Sequence, residues 1–220
     1  MINIAIDGPA GAGKSTVAKA AAKKLGYIYV DTGALYRAIG LYALRCGVDT
    51  KDFDAVSATL PFIKPQLKFI DGAQRIYLNG EDVSEAIRSP EASMAASAVS
   101  AGPKVREFLL SLQRDIAKSN NCIMDGRDIG TVVLPQATVK IFLTADVEKR
   151  AKRRFDELTA KGTEVNFDDV LNDMRQRDYD DSHRAAAPLK QAEDAVALDT
   201  GDMTLEQSIE SVIKIIEERL

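Results

Sequence analysis

The residues whose types and spacing most clearly indicate a chemical role form one short stretch near the start of the chain. Gly8-Pro9-Ala10-Gly11-Ala12-Gly13-Lys14-Ser15, followed by Thr16, fits the pattern G-x-x-x-x-G-K-[ST] of the Walker A loop. Its glycines let successive backbone N–H groups turn toward an anion, and a helix start behind them adds a positive dipole end. Lys14 supplies a point charge for the outer phosphates, and the Ser15 hydroxyl can ligate Mg²⁺. The stretch therefore predicts binding of ATP with magnesium.

The elements around this loop have the order that such a site needs. Residues 2–6 are predicted to form a buried strand and residues 16–25 a helix, whereas a mere glycine-rich turn would not require Lys and Ser at these positions. Further strands are predicted at 27–30, 123–125, 139–143 and 195–198. The second helix is predicted to end at about residue 46, and two others to begin at residue 84 and at Pro103. Three more helices are predicted at 147–161, 167–182 and 204–219. We expect Thr32 to cap the second helix. This alternation predicts an α/β fold with a parallel sheet.

One segment breaks the alternation. Residues 66–70 and 75–79 have strand composition, a turn sequence joins them, and Asn79-Gly80 is a second turn signal. The segment from about 65 to 83 is therefore predicted to be a small antiparallel insertion.

Composition restricts the partners and the compartment. The chain has 220 residues, a hydrophobic fraction of 45% and a net charge of −4, which together predict one large domain without a general surface for nucleic acid or membrane. Cys46 and Cys122 lack metal or redox spacing, so we expect two reduced, buried thiols. With no signal peptide before the first strand and no bilayer-length apolar run, a cytoplasmic protein is expected.

The predicted helix 147–161 brings several arginines together. Its apolar stripe is Val147, Ala151, Phe155 and Leu158, while Arg150 and Arg154 are spaced i,i+4 on another face. Charge alone favours a solvated, ion-paired hairpin with the next helix. Beside a phosphate loop, the alternative is a lid whose arginines close over the transferring phosphoryl group. Nearby arginines on the hairpin are Arg153, Arg175, Arg177 and Arg184.

Two acidic segments follow predicted strands. Asp125-Gly126-Arg127-Asp128 could be an ordinary turn with a surface ion pair, but an acid at a parallel strand end can hold a Mg²⁺-bound water, and Arg127 can bind a phosphate with two hydrogen bonds. Asp31 ends the second strand, and Arg37 lies in the helix after it. His183, the single histidine, has no second ligand nearby and is expected at the surface.

These segments together resemble the bacterial cytidylate kinases, a branch of the nucleoside monophosphate kinases. The resemblance rests on IAIDGPAGAGKST at 4–16, LGYIYVDTGALYRA at 25–38, VREFLLSLQR at 105–114, DGRDIGTVVLP at 125–135, VKIFLTA at 139–145 and RDYDDSHRAAAPL at 177–189. They cover nearly the whole chain in order. The Walker loop alone indicates only a superfamily, whereas its combination with DGRDIGTVVLP is far more specific.

The resemblance implies roles for particular residues. Ser97, Arg106 and Asp128 match the family's cytosine contacts, which suits a ring that has an amine donor and two acceptors. Arg37 and Arg127 match contacts to the CMP phosphate, and Arg184 an arginine near it. Arg177 and Asp181 match ribose contacts. Asp31 and Thr32 belong to the substrate-binding segment. Lys14, Asp125, Arg127, Arg150 and Arg154 are implied to act on the transferring phosphoryl group, with Asp125 holding the metal through water.

The resemblance further implies a single P-loop kinase domain with a five-stranded parallel sheet flanked by helices. Its expected parts are a core at about 1–31, 104–146 and 190–220, a monophosphate-binding part with the β insertion at 32–103, and a helical lid at 147–189. The implied reaction is phosphoryl transfer from ATP to CMP or dCMP with Mg²⁺ by a monomer. Two alternatives remain open: the same chemistry on UMP, AMP or shikimate, and a non-catalytic nucleotide sensor.

Overall fold

The computed structural model describes residues 1–160 and 162–220 and contains two sheets. The strands are β1 (Asn3–Asp7), β2 (Ile28–Asp31), β3 (Pro65–Ile70), β4 (Ala73–Leu78), β5 (Glu81–Asp82), β6 (Cys122–Gly126), β7 (Val139–Thr144) and β8 (Val196–Asp199). The larger sheet is parallel, with the order β2-β6-β1-β7-β8, and the smaller is antiparallel, with the order β3-β4-β5. The predicted parallel sheet and antiparallel insertion are both confirmed.

Helices occupy most of the remaining chain. They are α1 (Lys14–Leu25), α2 (Thr32–Arg45), α3 (Phe53–Thr59), α4 (Pro90–Val99), α5 (Pro103–Ser119), α6 (Val147–Ala160), α7 (Phe167–His183) and α8 (Leu205–Glu217). One turn of π-helix spans Ile129–Val133. Over the described ranges, none of the helices is both long and apolar enough to cross a membrane.

The register of the parallel strands brings their carboxyl ends to one edge. In the pairing of β1 with β6, Ile6 is opposite Asp125 and Asp7 is opposite Gly126. Ile4, Ala5 and Ile6 are fully buried, as expected for a strand covered on both faces. Ligands of open α/β sheets bind beyond such carboxyl ends, so this edge is where a site is expected.

The chain divides into two compact units. One comprises residues 28–121 together with Met1. In it, α2 packs against α4 so closely that a Cβ at Gly40 would lie 2.8 Å from the Cβ of Ala95. The apolar core of this unit includes Leu35, Ile39 and Leu109.

The other unit comprises residues 2–27 and 122–220. Here α1 packs against β6 and α8, and α6 packs against α7. Ala151, Val170, Leu171 and Met174 form the buried part of the α6–α7 contact. Val147, Phe155 and Leu158 pack against them, so the predicted apolar stripe of this helix is confirmed.

Several local predictions need correction. Asp31, not Thr32, caps α2, because its side chain accepts a hydrogen bond from the Ala34 N–H while Thr32 is already helical. The helix expected from residue 84 begins only at Pro90, where Ser89 caps it. Cys122 is buried as expected, but Cys46 is exposed because it follows α2 at the surface.

Other local predictions hold, and one element was not foreseen. His183 is exposed, as predicted. The helix predicted at 147–161 is observed over Val147–Ala160, and residue 161 lies outside the described residues. The short helix α3 has no counterpart in the sequence prediction.

Candidate active site

The Walker loop leaves β1 at Asp7 and ends where α1 begins at Lys14. Gly8 has a φ of 149°, and a Cβ there would overlap the carbonyl oxygen of Leu143, so a side chain cannot be accommodated. Gly13 is the left-handed N-cap residue of α1, and no side chain caps the helix. Because Gly13, Ser15 and Thr16 are exposed, the first-turn N–H groups of α1 can receive an anion.

Lys14 is buried at the base of this loop, where its Nζ donates a hydrogen bond to the Pro9 carbonyl oxygen at 2.7 Å. Burial, together with the positive charge of Arg127, lowers the pKa of Lys14 to about 7 despite the attraction of Asp125 and Asp7. The lysine therefore lies in a pocket that disfavours its own charge. A bound polyphosphate would reverse that balance.

Ser15 and Asp125 meet at the carboxyl edge of the sheet. The Ser15 hydroxyl donates a hydrogen bond to Asp125 Oδ2 at 2.9 Å, and Asp125 is buried at the end of β6. A hydroxyl and a carboxylate in contact are oxygen ligands of the kind that Mg²⁺ binds directly or through water. Across the described residues, no group of three or more His, Cys, Asp or Glu could hold a metal by itself. A metal here would therefore depend on phosphate and water for its other ligands.

The residues after β6 form an ion-paired cluster with the C-terminal part of α7. Arg127 Nε donates to Asp181 Oδ2 at 2.7 Å. Arg184 lies 3.4 Å from Asp128 and 3.6 Å from Asp181, with all three side chains largely buried. The structure thus brings Arg127 and Asp128 together with Asp181 and Arg184, which lie in a distant part of the sequence.

Arg177 and Arg154 extend this cluster electrostatically. The pKa of Arg177 is lowered first by burial and then by the charge of Arg127, with a further contribution from Arg154, while Asp181 opposes the shift. Arginines that repel one another in a partly buried region gain most from a polyanion placed among them. Arg154 itself is 41% exposed and bridges Glu157 at 2.9 Å on the same helix, so it has little to hold it in place.

Arg150 differs from Arg154, although the two are one turn apart. Arg150 is 4% exposed and donates to the carbonyl oxygens of Ala145 and Ala10 and to both carboxylate oxygens of Asp178. It therefore ties the Walker loop to α6 and α7. Arg150 is thus ion-paired but not solvated, whereas the Arg154 side chain reaches the solvent. The assignment of both arginines to a lid stays a prediction.

The other compact unit holds the remaining predicted residues. Arg37 pairs with Asp31 at 2.5 Å, and its buried Nε has no hydrogen-bond partner among the residues that the structure describes. Gln74 of the β insertion hydrogen-bonds to both backbone groups of Asp31. Thr32 is buried in the first turn of α2. The strand end is thereby fixed by the insertion, and Arg37 keeps an unused donor.

Ser97 and Arg106 lie on either side of Ser100 in the sequence and both form hydrogen bonds with it. Arg106 donates to the Ser100 carbonyl oxygen at 3.2 Å, and Ser100 Oγ donates to the Ser97 carbonyl oxygen at 2.9 Å. The Arg106 guanidinium lies 5.5 Å from the ring centroid of Tyr36. Ser97 is half-buried and Arg106 is buried. The two predicted base-contact residues of this unit therefore lie at adjoining positions.

Three residues of these arrangements escaped the sequence analysis: Asp7, Tyr36 and Asp178. Asp7 had a usable signal, because it is an acid at the end of an apolar strand directly before the Walker loop. Tyr36 and Asp178 had none, because their importance comes from contacts with Arg106 and Arg150 that only the folded chain shows.

Comparison with known proteins agrees with this geometry. The family model described as cytidylate kinase matches residues 4–218. Cytidylate kinases of Caldicellulosiruptor saccharolyticus and Caldanaerobacter subterraneus are 52% and 51% identical, over 97% and 98% of this chain and 95% and 94% of their own lengths. A solved gluconokinase from Sinorhizobium meliloti, 13% identical, has a TM-score of 0.50 over 99% of this chain and 92% of its own and shows the fold alone. The chain therefore belongs to the cytidylate kinase family and is a phosphotransferase of the nucleoside monophosphate kinase class.

Proposed function

We propose that this chain transfers the γ-phosphoryl group of Mg²⁺-ATP to CMP, and to dCMP as a second acceptor, through the residues assigned by the resemblance. The observation that carries this proposal is the contact between Ser15 and Asp125 beside the buried Lys14. A phosphate loop needs only its backbone to bind an anion. The added hydroxyl, carboxylate and ammonium are the groups that phosphoryl transfer requires.

The donor side is assigned to the Walker loop and the lid. The backbone N–H groups of Gly8 and of residues 10–16, together with the Lys14 ammonium, would bind the phosphates of ATP, since Pro9 has no N–H to offer. Ser15, and Asp125 through water, would hold Mg²⁺. When bound, the ion neutralises charge on the phosphates. The exposed Arg154 is the lid residue with freedom to reach the transferring group. Arg150 donates a hydrogen bond to the Ala10 carbonyl oxygen of the loop and would add positive charge beside the phosphates.

The acceptor side is assigned to the residues for which the resemblance implies contacts to CMP. Arg37 and Arg127 would bind the CMP phosphate, with Arg184 near it, and Arg177 and Asp181 the ribose. Ser97, Arg106 and Asp128 would bind cytosine, and Asp31 and Thr32 belong to the same segment as Arg37. Among the described residues the Nε of Arg37 has no hydrogen-bond partner, which supports an anion at Arg37. Separately, the mutual repulsion of Arg127 and Arg177 supports an anion beside those two arginines.

The chemistry needs no protein nucleophile. An oxygen of the CMP phosphate, already ionised, forms the new bond to the γ-phosphorus, and the bond from that phosphorus to the bridging oxygen of ADP breaks. The protein contributes position and fixed positive charge, which lower the barrier because the transition state spreads negative charge over the transferring group. The expectations of a monomer and of a cytoplasmic location remain predictions.

Binding of ATP near pH 8 is expected to take up a proton at Lys14. The lysine is largely neutral there, because burial holds its pKa near 7, and the incoming phosphates raise that pKa. Isothermal titration in buffers of different ionisation enthalpy measures the uptake. Lys14→Arg should abolish it, because a guanidinium stays charged at this pH. Equal uptake in both proteins would contradict the assignment.

Asp128→Ala is expected to narrow the preference for CMP over UMP. A carboxylate accepts a hydrogen bond from the cytosine amine and repels the uracil carbonyl, and such a base contact is worth roughly 1–3 kcal/mol, so the ratio should narrow about tenfold or more. The measurement is kcat/KM for both acceptors, with the exposed Asp115→Ala as control. If both acceptors lost the same factor, Asp128 would serve only its ion pair with Arg184, and base selection would have to rest with Ser97 and Arg106.

A coupled assay of ADP release tests the proposed function as a whole. CMP and dCMP should support turnover in the presence of Mg²⁺, with UMP weaker and AMP and shikimate inactive, and EDTA should abolish the activity. Turnover without divalent cation, or a preference for another acceptor, would overturn the proposal. A nucleotide sensor would bind ATP and release no ADP with any of them.

A further inference from the structure

Asp7 is a buried carboxylate to which no role in binding or catalysis has been assigned above. It is the last residue of β1, 4% exposed, and directly precedes Gly8 of the Walker loop. Its Oδ1 accepts a hydrogen bond from the Ile129 N–H and its Oδ2 accepts one from the Gly130 N–H, both at 2.7 Å. One side chain thus connects the start of the phosphate loop to the segment that follows Arg127 and Asp128.

The segment that it holds has an unusual shape. In the π-helical turn Ile129–Val133, the Leu134 N–H donates to the Ile129 carbonyl oxygen and the Val133 N–H to that of Asp128. A turn of this kind leaves its first N–H groups without partners inside the turn. Because Ile129 and Gly130 are buried, leaving these groups unpaired would be costly. The Asp7 carboxylate, at the end of β1, accepts hydrogen bonds from both N–H groups and so caps the turn.

The fit between carboxylate and turn is close. A Cβ at Gly130 would lie 3.3 Å from Asp7 Oδ2 and 3.1 Å from Cδ of Lys140, so a side chain there would press on both. Lys140 is in turn held by the Pro135 carbonyl oxygen and by Asp194. Asp7 and Lys140 therefore both lie against Gly130, and a shift of the turn would break its two hydrogen bonds to Asp7.

The carboxylate is placed there at an electrostatic cost. Burial, with a smaller contribution from Asp128, raises the pKa of Asp7 to about 6, although the two N–H groups and Lys14 oppose the shift. An apolar residue at the end of β1 would avoid this cost but would leave the turn uncapped.

We propose that Asp7 is a positioning residue for the acceptor, which fixes the Arg127–Asp128 segment through the N–H groups of Ile129 and Gly130. This inference rests on the proposed function, which assigns Arg127 and Asp128 to the acceptor. Asp7 itself touches no substrate. Its loss would let the turn and the two preceding side chains move, so binding of CMP would weaken while the Walker loop keeps its own N–H groups for ATP.

Asp7→Asn tests the inference, because the amide keeps the shape but turns an N–H donor toward one of the two N–H groups. We expect the KM for CMP to rise tenfold or more, the KM for ATP to stay within twofold, and the CMP-over-UMP preference to fall. Asp52→Asn is the matched control, since Asp52 also accepts a hydrogen bond from a backbone N–H, at the start of α3. A lowered melting temperature with both KM values unchanged, or equal rises in both, would overturn the inference.

A second variant keeps the test decisive if Asp7→Asn does not fold. Gly130→Ala leaves Asp7 in place but pushes the turn away from it, and it should show the same selective rise in the KM for CMP. An unchanged KM would overturn the inference. Asp128→Ala separates this inference from the proposed function: if Asp128→Ala changes CMP binding and the other two variants do not, only the role of Asp7 fails, whereas no change with Asp128→Ala refutes the acceptor assignment itself.

Discussion

Lys14→Ala is expected to reduce kcat by roughly 10²–10³, the usual cost of losing one preorganised charge donor. The physical reason is the position of the ammonium group, which is buried at the base of the Walker loop and hydrogen-bonded to Pro9. In the resting protein burial makes the charged form of Lys14 costly, as its lowered pKa shows. That cost is recovered when phosphate charge develops beside it, so the lysine acts most strongly on the transferring group.

The fold should survive this substitution. Burial already disfavours the charged lysine, so its removal takes away an unfavourable charge together with one hydrogen bond to the Pro9 carbonyl oxygen. Steady-state turnover of the purified variant, with circular dichroism to verify folding, gives the result. Lys19→Ala on the exposed side of the same helix is the control. More than about half of the wild-type turnover in a folded Lys14→Ala protein would refute the phosphate-site assignment.

Arg154→Ala is expected to lower kcat by roughly 10², with little change in CMP binding measured without ATP. The Arg154 side chain is 41% exposed on α6 and bridges Glu157 within its own helix, so it can be redirected to the phosphates without breaking the packing. An arginine that acts on the transferring group affects the transition state and not the binding of the acceptor.

Two other arginines define the comparison. Arg175→Ala is the control, since the Arg175 side chain also reaches the solvent and makes a long contact, 3.5 Å, to Glu148. Arg150→Ala should instead lower the melting temperature, because Asp178 and the Ala10 carbonyl oxygen would lose their partner. An unchanged kcat in Arg154→Ala would mean that this face of α6 is only a solvated, ion-paired surface.

What could be predicted from the sequence was mostly local in the chain. The Walker loop, the antiparallel insertion and the stripe of Val147, Ala151, Phe155 and Leu158 each depend on residues within a few positions of one another, and periodicity or turn composition reveals them. The parallel sheet followed from the alternation of strands and helices. Small errors, such as the cap of α2 at Asp31 in place of Thr32, arose because two adjacent residues can both cap a helix.

What could not be predicted depended on contacts between distant segments. Arg150 and Arg154 have the same spacing and chemistry, yet only Arg150 lies against Asp178 and the Ala10 carbonyl oxygen. The pair of Arg127 with Asp181 joins residues that no local pattern connects. The roles of Asp181 and Arg184 could be assigned in the sequence only through the family resemblance. The position of Asp7 before the Walker loop was visible in the sequence, but its hydrogen bonds to the N–H groups of Ile129 and Gly130 were not, because they join segments that only the folded chain brings together.

The central claim is that this chain moves a phosphoryl group from ATP to CMP and does not release it to water. Phosphorus NMR of the enzyme with Mg²⁺, ATP and CMP tests this directly, because it resolves CDP, ADP and inorganic phosphate in one sample. The account predicts that CDP and ADP appear in equal amounts, with no more inorganic phosphate than in a sample without enzyme. ADP accompanied by inorganic phosphate and no CDP would contradict it.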